Sequence, residues 1–292
     1  MMSRLSVSGV GTRCKIAVSA AAVFAAFALP ALGHTLEKHF PVSSKPVIVL
    51  RNTSGRVDIK SWAKPEVMVV ADHTGKTDVD IETEQAGERI DVSTNAVEGG
   101  KGGDLTTNFT LMVPEESQLQ IRTDSGSIVV ESVHGDLTFE TIAADVNLQN
   151  VGGYLVVRTT DGSMVCTRCD GTIRAESVSG NLQLFQPVMD HVTLHTTAGN
   201  ILFDGDFLKH GVYLLKSDTG NTDIRFGRAS SFDLTATSMH GTVVNQAKLQ
   251  PDKHRKFHFP RLSSGFVSGS VGDGNAKVEV TSFSGTIKIL NR

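Results

Sequence analysis

From Thr123 to Val244, apolar and polar residues alternate in short bursts, and each burst follows a phrase of the form Ser/Thr-x-x-Gly. The phrase reads TDSGSIVV at Thr123, TIAADVNL at Thr141, TTDGSMVC at Thr159, SVSGNLQL at Ser177, TTAGNILF at Thr196, SDTGNTDI at Ser217, SMHGTVVN at Ser238 and, after a gap, SFSGTIKI at Ser282. The spacing is about eighteen residues, the signature of a repeat architecture. A second set interleaves with the first: VHGDLTF at Val133, VGGYLVV at Val151, CDGTIRA at Cys169, VMDHVTL at Val188 and KHGVYLL at Lys209. The unit is therefore about nine residues, one bend and one short strand. Glycine marks the bend by allowing positive φ, with Ala144 and Asp190 standing in for it.

In each unit the second and fourth residues after the bend are apolar, as in Ile128 and Val130, Leu137 and Phe139, Val146 and Leu148, or Ile201 and Phe203. A period of two places both on one face. Stacking such units gives parallel sheets with like residues above like. The pattern predicts an all-β, single-stranded β-solenoid, β-helix- or β-roll-like, with about 18 residues and two short strands per coil over residues 121–292, and a loop insertion at 246–275. The recurring Ser/Thr would form a hydroxyl ladder at alternate corners, satisfying backbone groups there; a nucleophile has no need to recur eight times. Glu140, Arg158, Glu176, His195 and Lys216 fall on one outward column of alternating charge.

Upstream, PVIVL at Pro46, GRVDI at Gly55, EVMVVA at Glu66, DVDIET at Asp78, RIDVS at Arg89 and FTLMV at Phe109 also alternate, and read as half-buried strands. Residues 34–120 are expected to form an antiparallel, meandering β segment that caps the first exposed edge of the solenoid. Gly99-Gly100-Lys101-Gly102-Gly103-Asp104 matches the opening of a calcium-binding nonapeptide. It occurs once, and the apolar place two residues on is Thr106, so it reads as a flexible loop.

Composition places the chain further. Residues 1–33 carry Arg4, Arg13 and Lys15, then an alanine-rich apolar run and Ala31-Leu32-Gly33, the layout of a cleaved signal peptide. Export to the periplasm, the cell surface or the medium is expected, with no stable membrane insertion after cleavage. Cys14 precedes the apolar run and so lacks a lipobox setting. The net charge of −3 calls for neither nucleic acid nor an anionic surface as partner.

Candidate chemistry is sparse. Cys166 and Cys169 form C-x-x-C at two inward positions; a structural disulfide, two buried thiols and a redox or metal site are the readings in order of preference, exported chains favouring oxidation. His191 and His195 share a strand face about 13 Å apart by rise alone, too far to ligate one ion. Neither H-E-x-x-H nor G-x-S-x-G nor a Walker loop occurs, and no catalytic residue, metal or cofactor is expected. Within the insertion, Lys253, Arg255, Lys256, Phe257, Phe259 and Arg261 make a basic, aromatic stretch; a C-terminal cap folding its Phe residues over the last coil is the first reading and a partner-binding loop the second.

Leu50 to Ala71 (LRNTSGRVDIKSWAKPEVMVVA), Leu111 to Leu137 (LMVPEESQLQIRTDSGSIVVESVHGDL) and the recurring SG-apolar phrases together resemble the bacterial "putative adhesin" family of exported β-solenoid proteins, a domain of unknown function. The resemblance covers nearly all of the chain after the leader. It implies an envelope or surface solenoid and supplies no catalytic residues. The expected function is a non-enzymatic adhesion or interaction scaffold of the cell envelope, its partner an envelope or surface protein or a glycan. The alternatives are a carbohydrate-active enzyme on a β-solenoid and an envelope-stress accessory protein that binds a membrane sensor.

Overall fold

The computed structural model describes residues 34–43, 45–73, 79–96, 106–250 and 261–292. The described chain is all strand and turn, a solenoid-like β architecture with two faces that meet at two corners. On the front face the parallel ladder runs through Gly152–Thr159, Asp170–Ser177, Val188–Thr196 and Val212–Ser217. On the back face it runs through Met164–Thr167, Leu182–Phe185, Ile201–Asp204 and Thr222–Phe226. Register places like above like: Val146, Met164, Leu182, Ile201, Thr222 and Ile287 are successive partners. The inward residues named above are all buried and form one apolar core. Among the described residues no helix is long and apolar enough to cross a membrane.

Spatial order departs from chain order at both ends. Val47–Trp62 lies in parallel between Gln118–Glu131 on one side and, on the other, Arg89–Ala96 and Thr107–Pro114. This corrects the expectation of an antiparallel segment over residues 34–120, because the ladder already begins there. The antiparallel pairs are His34–Pro41 with Glu66–His73, Glu66–His73 with Thr107–Pro114, and Val79–Ala86 with Arg89–Ala96. Alternation alone gives no strand direction. The first coil also hides its corner, since Asn52 pairs with Thr123 in the hydroxyl column and bonds with its amide to the carbonyls of Ser54 and Thr107 at 3.0 Å each.

At the other end Ala276–Ser282 and Ile287–Asn291, last in sequence, are inserted between the coil of Val212–Phe226 and that of Phe232–Asn245. Phe266–Val271 then closes the front ladder antiparallel to Phe232–Ser238, with Arg261–Ser263 antiparallel to it in turn. The insertion at 246–275 therefore leads out from the last coil of the stack and back into its interior.

The corners rest on three columns of polar contacts. From Thr159 on, most ladder hydroxyls accept the N–H of the glycine three residues on, as Thr159, Ser177, Thr196 and Ser282 do at 2.8–3.0 Å, while Thr123 and Thr141 donate to the carbonyls of Ser125 and Ala144. Several also donate to a carbonyl of a neighbouring coil: Thr196 to Gly180, Ser217 to Gly199 and Ser238 to Gly285. Just past the glycine, Asp145, Ser163, Asn181, Asn200 and Asn221 each accept the backbone N–H of the equivalent residue on the adjoining coil. Positive φ is not what selects glycine through most of this column. From Gly162 to Gly285 the constraint is the carbonyl of a neighbouring corner, within 1.8–2.2 Å of where a Cβ would sit. At the opposite corner the left-handed conformation falls on Ser132, Asn150, Arg168 and Gln186, one per coil. Asp190 is no stand-in for glycine: Gly171 and Thr172 pair with Met189 and His191, and Asp190 is bulged out between them.

The core changes character toward the C-terminal end, where Phe203, Phe207, Tyr213, Phe226 and Phe232 pack ring on ring at 4.6–5.5 Å. The Tyr213 hydroxyl donates to the carbonyl of Met189 at 2.6 Å and accepts from the N–H of Leu208, and burial pushes its pKa up. Thr222 is the misfit, a fully buried hydroxyl in an otherwise apolar column with no hydrogen-bond partner among the described residues. Thr222→Val keeps the shape and removes the orphaned group, so it should raise stability by about 1–2 kcal/mol. A urea midpoint at or below that of the parent would show that the hydroxyl is satisfied.

Candidate functional site

One corner is built differently from the other. Where each front strand begins, the second-set glycines Gly135, Gly153 and Gly171 stack so closely that a Cβ on any of them would lie 2.3 Å from the carbonyl oxygen of the adjoining coil. All three have positive φ, a conformation that a side chain strains and glycine does not. The result is a floor of bare backbone. On its front side stands the column Asp136, Tyr154, Thr172, His191, Val212, Lys277 and Asp233, each paired in register with the next, with Gln118 at the equivalent place one coil before Asp136. On its other side stand Lys45, Glu116, His134 and Asp170.

Two open depressions lie along this corner. One, of about 310 Å³, is lined by Lys45, Glu116, Gln118, His134 and Asp136. The other, of about 460 Å³, is lined by His210, Asp233, Asn275 and Lys277. Between them the glycine floor spans the three coils of Gly135, Gly153 and Gly171 and ends where Asp190 is bulged out, so the first depression is the one beside the floor. Its charges are mixed: Lys45 Nζ lies 3.1 Å from Glu116, and His134 reaches Glu115 at 3.6 Å and Asp170 at 3.5 Å. The last contact spans two coils because Gly152 lies between; a Cβ there would meet the Asp170 carboxylate at 2.1 Å. Beside the bulge, the hydrogen bond from His191 holds the Asp190 carboxyl below the usual range.

Tyr154 is half exposed, one of eight large apolar or aromatic side chains standing in solvent among the described residues. Sequence reasoning passed over it and over the bare glycine floor. The available signal was a glycine recurring at one class of bend (HGD, GGY, DGT), which strips the side chains from beside the first polar residue of each strand.

The residues expected to carry function are placed as follows. Cys166 and Cys169 are bonded to each other and buried in the core, with Cys166 between Leu148 and Leu184 in its column. A cross-link closing so short a loop contributes about 2 kcal/mol in the chain-entropy account. Reductant should therefore lower the urea stability of the parent by about that amount and leave Cys166→Ala/Cys169→Ala unchanged; equal midpoints for the parent with and without reductant would contradict it. Lys253, Arg255, Lys256, Phe257 and Phe259 lie outside the described residues, as does the glycine run 99–104. Arg261 begins a strand whose backbone pairs with Ser268. The outward charges do form a column, extended by Arg122, whose Nε lies 2.6 Å from Glu140. Among the described residues no three His, Cys, Asp or Glu side chains are grouped to hold a metal.

The sequence model of one family, described as Toastrack DUF4097, matches residues 46–290. No curated protein matches the chain. Among solved structures, a "putative adhesin" from Bacteroides fragilis NCTC 9343 is similar at 11% identity and a TM-score of 0.42, over 89% of this chain and 97% of that one. A "putative cell adhesion protein" from Clostridium sporogenes ATCC 15579 is similar at 10% identity and a TM-score of 0.28, over 89% of this chain and all of the other. A "Putative lipid binding protein" from Parabacteroides distasonis ATCC 8503 is similar at 11% and 0.35, over 88% and 98%. Likenesses this distant transfer no ligand.

Proposed function

Because the chain belongs to the Toastrack DUF4097 family, whose function is unassigned, we propose from its own geometry that it is a non-enzymatic, exported interaction scaffold of the cell envelope. The observation that carries this reading is the glycine-floored corner, a surface held by a rigid ladder, whose ionisable groups remain solvated. The side chains of Glu115, Glu116 and Asp170 are 70%, 64% and 50% exposed. A glycosidase needs one carboxyl kept protonated by burial opposite a second that is ionised, and solvated carboxylates tied to Lys45 and His134 suit recognition better. The leader at 1–33 supports export to the periplasm or surface. So does the C-x-x-C bridge, which an oxidising compartment would keep closed. In this reading the stretch from Lys253 to Arg261 is a second contact region.

The test is retention of envelope components by the immobilised chain from His34 onward, with and without residues 253–261. Specific retention that falls on deletion supports both the scaffold and the loop. Undiminished retention removes the loop from the account, and no retention by the intact chain sinks the scaffold reading.

A further inference from the structure

We propose that a depression around Arg51 and Arg122 on the front face binds an oxyanion, the carboxylate or phosphoryl group of a hydroxylated ligand such as an acidic glycan. It lies further along the same strands than the glycine-floored corner, and the inference stands whether or not the scaffold reading does.

The first argument is a break in the charge column. Through the middle of the stack its signs alternate: Arg122 Nε lies 2.6 Å from Glu140, and Arg158 lies 3.5 Å from Glu140 and 3.8 Å from Glu176. One step fails to alternate. Arg51 pairs in register with Arg122, so two cations leave adjoining strands about 4.8 Å apart, where like charges set against each other are destabilising. On its other side Arg51 pairs with Ser93, which brings no charge. Asp91 on that strand is already held by Arg89 at 2.7 and 2.9 Å. Among the described residues the Arg51 side chain has neither an ion pair nor a hydrogen bond. An anion bridging Arg51 and Arg122 would restore the alternation that the chain itself leaves broken.

The second argument is the shape of the place. The two arginines line an open depression of about 270 Å³ together with Val49, Gln120, Thr138 and Glu140. That is at the lower end for ligand sites, the room of one ring-sized unit. The planar fork of Arg51 matches two oxygens of a carboxylate or phosphoryl group. Gln120 and Thr138, paired in register beside it, have no side-chain hydrogen-bond partner among the described residues and are placed to meet hydroxyls on the same ligand. Val49, almost fully buried, gives an apolar floor between them. Charge sets the sign of the ligand. Two cations face one carboxylate, and Glu140 is shared with Arg158 outside the depression, so an anion is attracted and an amine repelled.

The experiment follows the arginine Nε–H resonances of the isotope-labelled chain from His34 onward as hexagalacturonate, glycerol phosphate or the neutral cellohexaose is added. At least one acidic ligand should shift the Arg51 signal saturably, and cellohexaose should leave it in place. A response to hexagalacturonate assigns the carboxylate source, and one to glycerol phosphate the phosphoryl source. Arg51→Gln should weaken the binding about tenfold or more, the loss of a charge-assisted pair. Glu140→Gln, which releases Arg122 from its partner, should strengthen it. Arg51→Glu completes the alternation within the protein, so it should abolish binding while its urea midpoint stays at or above the parent's, which separates lost binding from lost folding. No response to either acid, an equal response to cellohexaose, unchanged affinity in Arg51→Gln, or a urea midpoint of Arg51→Glu below the parent's would each overturn the proposal.

Discussion

Gly180→Ala should cost the fold about 4 kcal/mol or more, enough to lower the melting temperature by about 10 °C. The added methyl would lie 1.8 Å from the Gly162 carbonyl oxygen and 2.6 Å from its carbon, both backbone atoms with no rotamer to escape into. Gly180 cannot move the other way. Its own oxygen accepts from Thr196 at 3.1 Å and lies 1.9 Å from where a Cβ of Gly199 would be. Relief therefore means parting two coils, and with them the ladder bonds and apolar stacks on both faces. Gly87→Ala is the control. It has φ +63° but nothing within 4 Å of the new methyl, so its cost is the backbone strain alone, about 1 kcal/mol. If Gly180→Ala melts as close to the parent as Gly87→Ala does, close stacking is not what fixes glycine in the column. Ala144 sits in the same column where the strand runs through the corner unbroken, a different backbone path that accommodates its methyl.

Removing residues 276–292 should release far more than one coil. In a stack whose chain and spatial orders agree, cutting the last coil costs one interface. Here the missing segment lies between Val212–Phe226 and Phe232–Asn245, so both lose a partner, and the coil of Phe232–Asn245 keeps only the antiparallel Phe266–Val271, with no ladder pairing left to the rest of the stack. Val278, Val280, Ile287 and Ile289 are fully buried and each contributes about 1.5–3 kcal/mol of apolar burial. Arg292 adds a tether, its backbone N–H bonding to Phe226 and its guanidinium reaching Asp204 at 2.9 Å. Hydrogen exchange on the truncated chain should show protection lost throughout 232–271 while Leu137 to Phe203 stays protected. Protection persisting across Phe232–Ser238 would mean that this coil is held by something other than the inserted strands.

These two cases also mark what the sequence makes legible. The inward pairs, the hydroxyl column and the alternating charges follow from period two and from repetition, and register confirms them because a parallel ladder copies each position onto its equivalent. Which coil neighbours which is another matter. The repeat identifies Ser238 and Ser282 as the same kind of corner, but nothing local says that Ser282 comes to lie against Ser217. The coil at Val47 was obscured by Asn52, which serves its corner with an amide where later coils use a hydroxyl. The bare corner escaped notice because it is made by missing side chains at Gly135, Gly153 and Gly171, and those glycines read first as turns. Left-handed corners at Asn150, Arg168 and Gln186 carry no glycine to announce them.

The antiparallel strands at the two ends of the stack bear on what happens when many copies of this chain share a compartment. A parallel ladder with like residues in register is the geometry of a fibril, and a coil left bare at its end is a template for the next molecule. Phe266–Val271 closes one end of the front ladder by running against its direction, and Val79–Ala86 and Glu66–His73 do the same at the other end. The strands outside these, His34–Pro41 and Arg261–Ser263, run with the ladder again but stand outside the coil repeat, so an incoming copy finds no stack of corner glycines to continue. The number of coils is thereby set by the chain's own ends, an arrangement that works against end-to-end growth.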